Sequence, residues 1–314
     1  MQDSLRGIHI STRVYEKDGV EVLVPMMKCR SIGPFSSLNS MPIFTYGGLL
    51  SDRPLKNEDV RSLLLQIVEP TTPLLIMTFS PLAKSFPKTD NLIIPAKTPW
   101  TYTHILDLEG GFEHAWRDHF RKRARRSVRS ARSEGVEIEK SRSLSDVAVF
   151  YRAYLDLVER RGITSPKPLS FYESIYKLIP TGFVDFLLAK IDGQTVGGLI
   201  SFFYGTYANL VMSVCFSQYS RFNAASLLYC TAIQNAIDAG CRYFDFGPSG
   251  PLEGLRLFKE GFGATSKVFE RVEVYSPMVR PPVILYQMVR GLVREPSAVI
   301  RDLAKTQKSR WQRH

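Results

Sequence analysis

Two neighbouring stretches constrain this chain more than any other: Tyr243-Phe244-Asp245-Phe246-Gly247-Pro248, and Leu257-Phe258-Lys259-Glu260-Gly261-Phe262-Gly263-Ala264. The first reads as a short aromatic strand that stops at a Gly-Pro turn. The second sets a lone lysine between phenylalanines. Most lysines are solvated surface residues, and the same reading is open for Lys259. Its aromatic neighbours, just after a core strand, favour a site residue. Asp245, at the strand end, is the nearest carboxylate for proton chemistry, although a turn carboxylate bonding backbone N–H groups before Gly247 reads slightly better there.

At 314 residues, with 44% apolar and 23% charged residues, the chain has material for one large or two ordinary globular domains. Cys29, Cys215, Cys230 and Cys241 form no CxxC pair, which reads as free thiols in a reducing compartment and no metal site. No apolar run reaches the roughly 18 residues of a membrane span, and Met1 to Ile10 lacks the apolar core of a signal peptide. The reading is cytoplasmic.

Net charge is +11, and eight basic residues against one acid fall between Arg117 and Arg132. In a helix expected over 112–133, Trp116, Phe120, Ala124 and Val128 make a narrow apolar stripe, with Arg117, Arg121, Arg125 and Arg129 beside it. Arg121, Arg125, Arg126 and Arg129 are the expected anion or nucleic-acid patch. A solvated helix face is the alternative. No aromatic residue interleaves with the arginines as a base-stacking platform.

Along the first half, strands are expected over Gly19–Cys29, Pro42–Leu50, Leu74–Phe79 and Thr101–Leu108. A helix is expected over Asn57–Val68, capped by Asn57, and a loop over 80–100. In the second half, helices are expected over Leu144–Arg160, Ser170–Leu178 and Phe222–Ala239. Strands are expected over Phe183–Ile191, Thr195–Tyr204, Tyr207–Phe216, Arg242–Phe246 and Lys267–Val274, with Asp192-Gly193 as a hairpin turn. The repeated order suggests an internal duplication with a boundary near 134–142. The tail 279–314 reads as a basic amphipathic helix that packs on the body or lies on an anionic membrane.

Hairpin, strand, turn, helix, strand is the order of the GNAT acyltransferase fold. Its turn offers backbone N–H groups to a diphosphate. Here Arg221, Asn223, Ala224 and Ser226 occupy that turn; Arg221 matches the GNAT pattern, but Ala224 stands in place of its first glycine and Ser226 of its second. Coenzyme A binding through this turn is correspondingly weakened.

Arg125-Arg126-Ser127-Val128-Arg129-Ser130-Ala131, Tyr46-Gly47-Gly48, Phe244-Asp245-Phe246-Gly247 and Phe258-Lys259 before Phe262-Gly263 together resemble the FemAB-like peptidyl and aminoacyl transferases of the GNAT superfamily. The resemblance implies an α/β (α+β) chain of two tandem GNAT-like domains with mixed sheets flanked by helices. These are 1–135, abridged at its front and including the Arg-rich helix, and 136–278, followed by the tail. It implies transfer of an acyl or aminoacyl group to an amine, in the best-known members onto a cell-wall precursor. The donor is acyl-CoA, an acyl carrier or aminoacyl-tRNA, with no tightly bound cofactor. It carries a reacting-centre role to Lys259 and substrate contacts to Tyr46, Gly47, Phe258 and Phe262. None of the five histidines falls in the second domain, so no histidine base is expected. A non-catalytic module that binds tRNA or an anionic membrane through Arg117–Arg132 is the alternative function.

Overall fold

A computed structural model describes residues 8–17, 19–30, 36–40, 46–70, 72–83, 86–87, 89–90, 92–95 and 102–276. The expected basic tail helix lies outside them. In chain order the strands are β1 (Ile8–Ile10), β2 (Arg13–Lys17), β3 (Val20–Val24), β4 (Met27–Arg30), β5 (Ser36–Asn39), β6 (Leu50–Ser51), β7 (Leu74–Thr78) and β8 (Ile93–Pro95). Then come β9 (Tyr102–Asp107), β10 (Glu137–Lys140), β11 (Val184–Ile191), β12 (Gln194–Tyr204), β13 (Tyr207–Cys215), β14 (Tyr243–Asp245), β15 (Thr265–Val268) and β16 (Arg271–Tyr275). The α-helices are α1 (Asn57–Ile67), α2 (Gly111–His114), α3 (Lys122–Ser133), α4 (Leu144–Arg161), α5 (Leu169–Tyr176), α6 (Ala224–Asp238) and α7 (Glu253–Gly261).

A seven-stranded mixed sheet runs β10-β11-β12-β13-β14-β9-β15, and a six-stranded one runs β1-β4-β5-β7-β16-β8, with a small β2-β3-β6 sheet beside it. The hairpin between β11 and β12 forms as expected. Asp192 and Gly193 take φ of 49° and 75°, the left-handed pair a tight two-residue turn needs. Along β11, Leu187 and Ala189 face a core shared with α3 and α6, while Phe186 and Leu188 face α4 and α5. That two-sided burial explains why β11 reads as a continuous apolar run. Helix α4 starts on a reciprocal capping box: Ser143 Oγ accepts from the Asp146 amide, and Asp146 accepts from the Ser143 amide. It ends at Gly162 with φ of 60°.

Several expectations shift. The Gly19–Cys29 run divides at Pro25-Met26 into β3 and β4, which join different sheets. Lys267–Val274 divides likewise into β15 and β16. Within 80–100, β8 pairs with β16, and within Pro42–Leu50 only Leu50 belongs to a described strand. Helix α1 forms, but Lys56 is its N-cap, and the Asn57 side chain instead accepts from the Phe86 amide. The Arg-rich helix is not continuous: α2 passes into a five-residue π-helical turn, Ala115–His119, and the chain extends at Phe120 before α3 begins. The break swings Phe120 into the core, edge-on to Phe262 at 5.0 Å.

The sheets also do not separate at residue 135. Strand β9 pairs with β14 and β15 in the seven-stranded sheet, and β16 returns to pair with β7 and β8 in the other. Each body therefore borrows a strand from the opposite side of the expected boundary.

Candidate active site

Strand β14 runs parallel to β13 for three residue pairs only, ending at Asn209 opposite Asp245. Beyond this point β13 continues while the chain leaves β14 through Gly247, whose φ is 71°. Here a polar cluster is buried. Asp245 has no solvent exposure. Its carboxylate accepts from the Tyr207 hydroxyl at 2.6 Å, from the Gly247 amide at 2.7 Å and from the Thr103 hydroxyl. Tyr46, from the first body, lies close enough for the Asp245 charge to act on its hydroxyl. Burial and the neighbouring carboxylate push both the Tyr46 and Tyr207 hydroxyls far above the usual phenol range, so both stay protonated and donate.

Lys259 lies on the last turn of α7 and is only 2% exposed. Its Nζ donates to the carbonyls of Gly247 at 2.7 Å and Pro248 at 2.9 Å. Burial brings its pKa down from 10.5 to about 7, with Asp245 pulling the other way. Asp245 thus serves as the turn carboxylate and as the counter-charge of a buried lysine at once.

Gly47 is held by its own amide, which donates to the Thr78 carbonyl at 2.8 Å. A Cβ there would lie 2.5 Å from Ser40 Cβ, so only glycine fits. It keeps Tyr46 beside Phe269, ring centroids 5.5 Å apart, and directed at Asp245.

The other sequence-predicted residues do not converge on one place. Ser226 lines a recess of about 210 Å³ between α3, α6 and α7, together with Arg123, Ser127, Leu257 and Phe258. Arg221 lies over the Phe222 ring at 4.5 Å and faces a separate surface depression beside Asp192 and Gln194. Asn223, at φ 54°, ties the turn to Ser130 of α3, and Ala224 is buried. Phe262 has no exposure and is a core ring; Phe258 packs edge-on to Tyr229 at 5.0 Å and keeps one face in the recess.

The basic patch is concave. Arg117, Lys122, Arg125, Arg126 and Arg129 surround a recess of about 550 Å³ floored by Trp116. Arg129 stands over the indole at 5.7 Å, which corrects the expectation that no aromatic interleaves with the arginines. Arg125 is partly structural, donating to the Trp116 and Arg117 carbonyls at 3.1 and 2.7 Å. Arg121 is drawn toward α7, 3.9 Å from Glu260.

Sequence reasoning missed Thr103, Tyr207 and His104. His104 has no exposure and sits on β9 inside the seven-stranded sheet, which overturns the expectation that no histidine lies in that body. Burial, and then the Lys259 charge, lower its pKa. No local signal marks these residues, because β9 reaches the sheet only through long-range pairing. Among the described residues, no helix is long and apolar enough to cross a membrane, and no group of His, Cys, Asp and Glu could hold a metal ion.

Residues 118–257 match the acetyltransferase (GNAT) domain family, which gives acyl transfer as the class of chemistry. No curated protein matches the sequence. Among solved structures, the fold is similar to FemX, at 14% identity and a TM-score of 0.70 over 90% of both chains. It is similar to the C-terminal domain of an Agrobacterium fabrum protein assigned as a lysylphosphatidylglycerol synthetase (13% identity, TM-score 0.56, 90% of this chain and 88% of that one). L-PGS from Bacillus licheniformis is a further neighbour (14%, TM-score 0.51, 90% and 89%). Residues 118–257 thus match a GNAT domain, and the fold of the chain as a whole is similar to that of FemX.

Proposed function

We propose that the protein transfers an acyl or aminoacyl group from a phosphate-bearing carrier to an amine, where β13 and β14 part company. The observation that carries the reading is Lys259: a buried cation held near neutrality, at the junction of the two bodies, beside a carboxylate that both bodies contact. Attack of an amine on the donor carbonyl builds negative charge on oxygen. A fixed ammonium in a dry setting stabilises that charge far more than one in water. Two of its hydrogens are engaged by the Gly247 and Pro248 carbonyls, which aim the third.

Asp245 has little capacity left to act as a base. Thr103, Tyr207 and the Gly247 amide supply three donors to its two oxygens, with the Tyr46 hydroxyl near by. In this reading it orients the tyrosines and sustains the charge on Lys259. The cationic recess on α3 suits the carrier's phosphates, with Trp116 as a surface for a stacked base. Aminoacyl-tRNA fits that description better than acyl-CoA, because Ala224 is buried and Asn223 is tied to Ser130 of α3. The acceptor amine belongs to a cell-envelope precursor, as the resemblance to the FemAB-like transferases implies.

The test is mass-spectrometric detection of transfer from aminoacyl-tRNA, acyl-CoA and acyl-carrier donors to a panel of amines, with wild type and Lys259→Met side by side. Transfer that falls by about 10²-fold in the variant supports the reading. A Met variant at the wild-type rate removes Lys259 from it. Tight, salt-sensitive binding of tRNA with no transfer from any donor would favour the non-catalytic module that the recess also supports.

A further inference from the structure

Beneath the turn that follows β14 lies a second base. The Nδ1 of His104 is 3.3 Å from Ser249 Oγ, and its ring meets Tyr102 edge-on at 5.5 Å. Its Nε2 is buried with no hydrogen-bond partner. Leaving a buried polar atom unmade costs about 1–3 kcal/mol, so this orphan asks for a reason. Its neighbours are filled: Asp245 by its donors, Lys259 by two carbonyls, Glu260 by Arg256 at 2.7 Å. The charged and titratable groups facing the imidazole are Lys259 and Glu260 from α7, Asp245 from β14 and Tyr102 from its own strand.

The turn itself is gripped by three side chains from two elements, α7 and β9. Lys259 holds the carbonyls of residues 247 and 248, His104 holds the Ser249 hydroxyl, and the Tyr102 hydroxyl holds the Gly250 carbonyl at 2.9 Å. We propose that His104 is a positioning residue of the transfer site, paired with Lys259 so that the two buried bases hold one proton between them. Two protons would place two cations against the single carboxylate of Asp245, and like charges in a dry pocket exclude one another. The direction of both shifts, downward through burial, agrees with this. His104 therefore keeps the cation on Lys259 while fixing the turn that aims it.

The positioning role rests on the transfer reading; the shared proton does not, and it is tested without any substrate. The imidazole ¹⁵N signals of His104 are followed against pH in the full chain, in wild type and in Lys259→Met and Lys259→Gln. Removing the lysine charge raises the His104 midpoint by about one unit; a midpoint unmoved in both folded variants overturns the pairing. With transfer in hand, His104→Asn lowers kcat by about tenfold to 10²-fold, with KM for the amine nearly unchanged. An unaltered kcat and pH–rate profile overturns the positioning role, while the titration stands or falls by itself.

Discussion

Two cationic regions of this molecule obey opposite physics. Around Trp116, five cations share an open recess in which water solvates each of them. Arg117 keeps 75% of its side chain exposed. Assembling them asks little of the fold, and in return each interacts weakly, over long range and subject to salt. Lys259 is a single charge at 2% exposure, and its burial is so unfavourable that half its charge is gone near neutral pH. The first arrangement suits collecting a large anion from solution. The second suits acting on one atom. On the proposed reading, the same formal charge separates into capture and chemistry according to how much water each site retains.

The sharpest way to break this contrast is Lys259→Met, expected to cost about 10²-fold in rate if charge at that point is chemical. Measured kcat in the two proteins decides it. Next comes the pH dependence of stability. Lys259 has a lowered pKa, so between about 7 and 10.5 the unfolded chain binds more protons than the folded one, and stability rises with pH. Urea titrations of wild type should show a gain of about 2 kcal/mol from pH about 7 to about 8.5 that Lys259→Met lacks. An identical slope in both proteins would place the lysine in water.

For the open region, Arg126→Glu with Arg129→Glu should weaken binding of bulk tRNA about tenfold and flatten its salt dependence, leaving thermal stability within a degree or two. Unchanged salt dependence would mean the recess is only a solvated face. The smallest expected effect separates two adjacent arginines. Arg125→Ala loses the bonds to two carbonyls that close the π-helical turn and should cost about 1 kcal/mol in stability. Arg126→Ala, which lines the recess, should cost less than about 0.5 kcal/mol.

Local chemistry made much of this legible. Asp192-Gly193 announced its turn, α1 and α4 to α6 showed their periodicity, and the aromatic neighbours of Lys259 accompany a lysine that the fold buries. What failed was whatever depends on distant partners. The sequence around His104 reads as an ordinary strand, and only its pairing with β14 and β15 carries it under the turn that Lys259 holds. Phe120 continues a helical stripe in the sequence, yet the pull of Phe262 on the aromatic core opens the helix there. The diphosphate turn was read from Arg221 to Ser226 as one unit. The left-handed Asn223 between them sends the two ends to different faces.

The exchange of β9 and β16 has a consequence for how the molecule can move and how it can be cut. A cut at residue 135 would leave the seven-stranded sheet without β9, and so without Thr103 and His104, and would strip β16 from between β7 and β8. Neither half is then a self-sufficient folding unit. The two bodies should melt in one transition, with slow assembly set by pairing across most of the chain length. A hinge between them would have to bend strands that belong to both. The polar cluster at their junction is accordingly held by residues of both bodies.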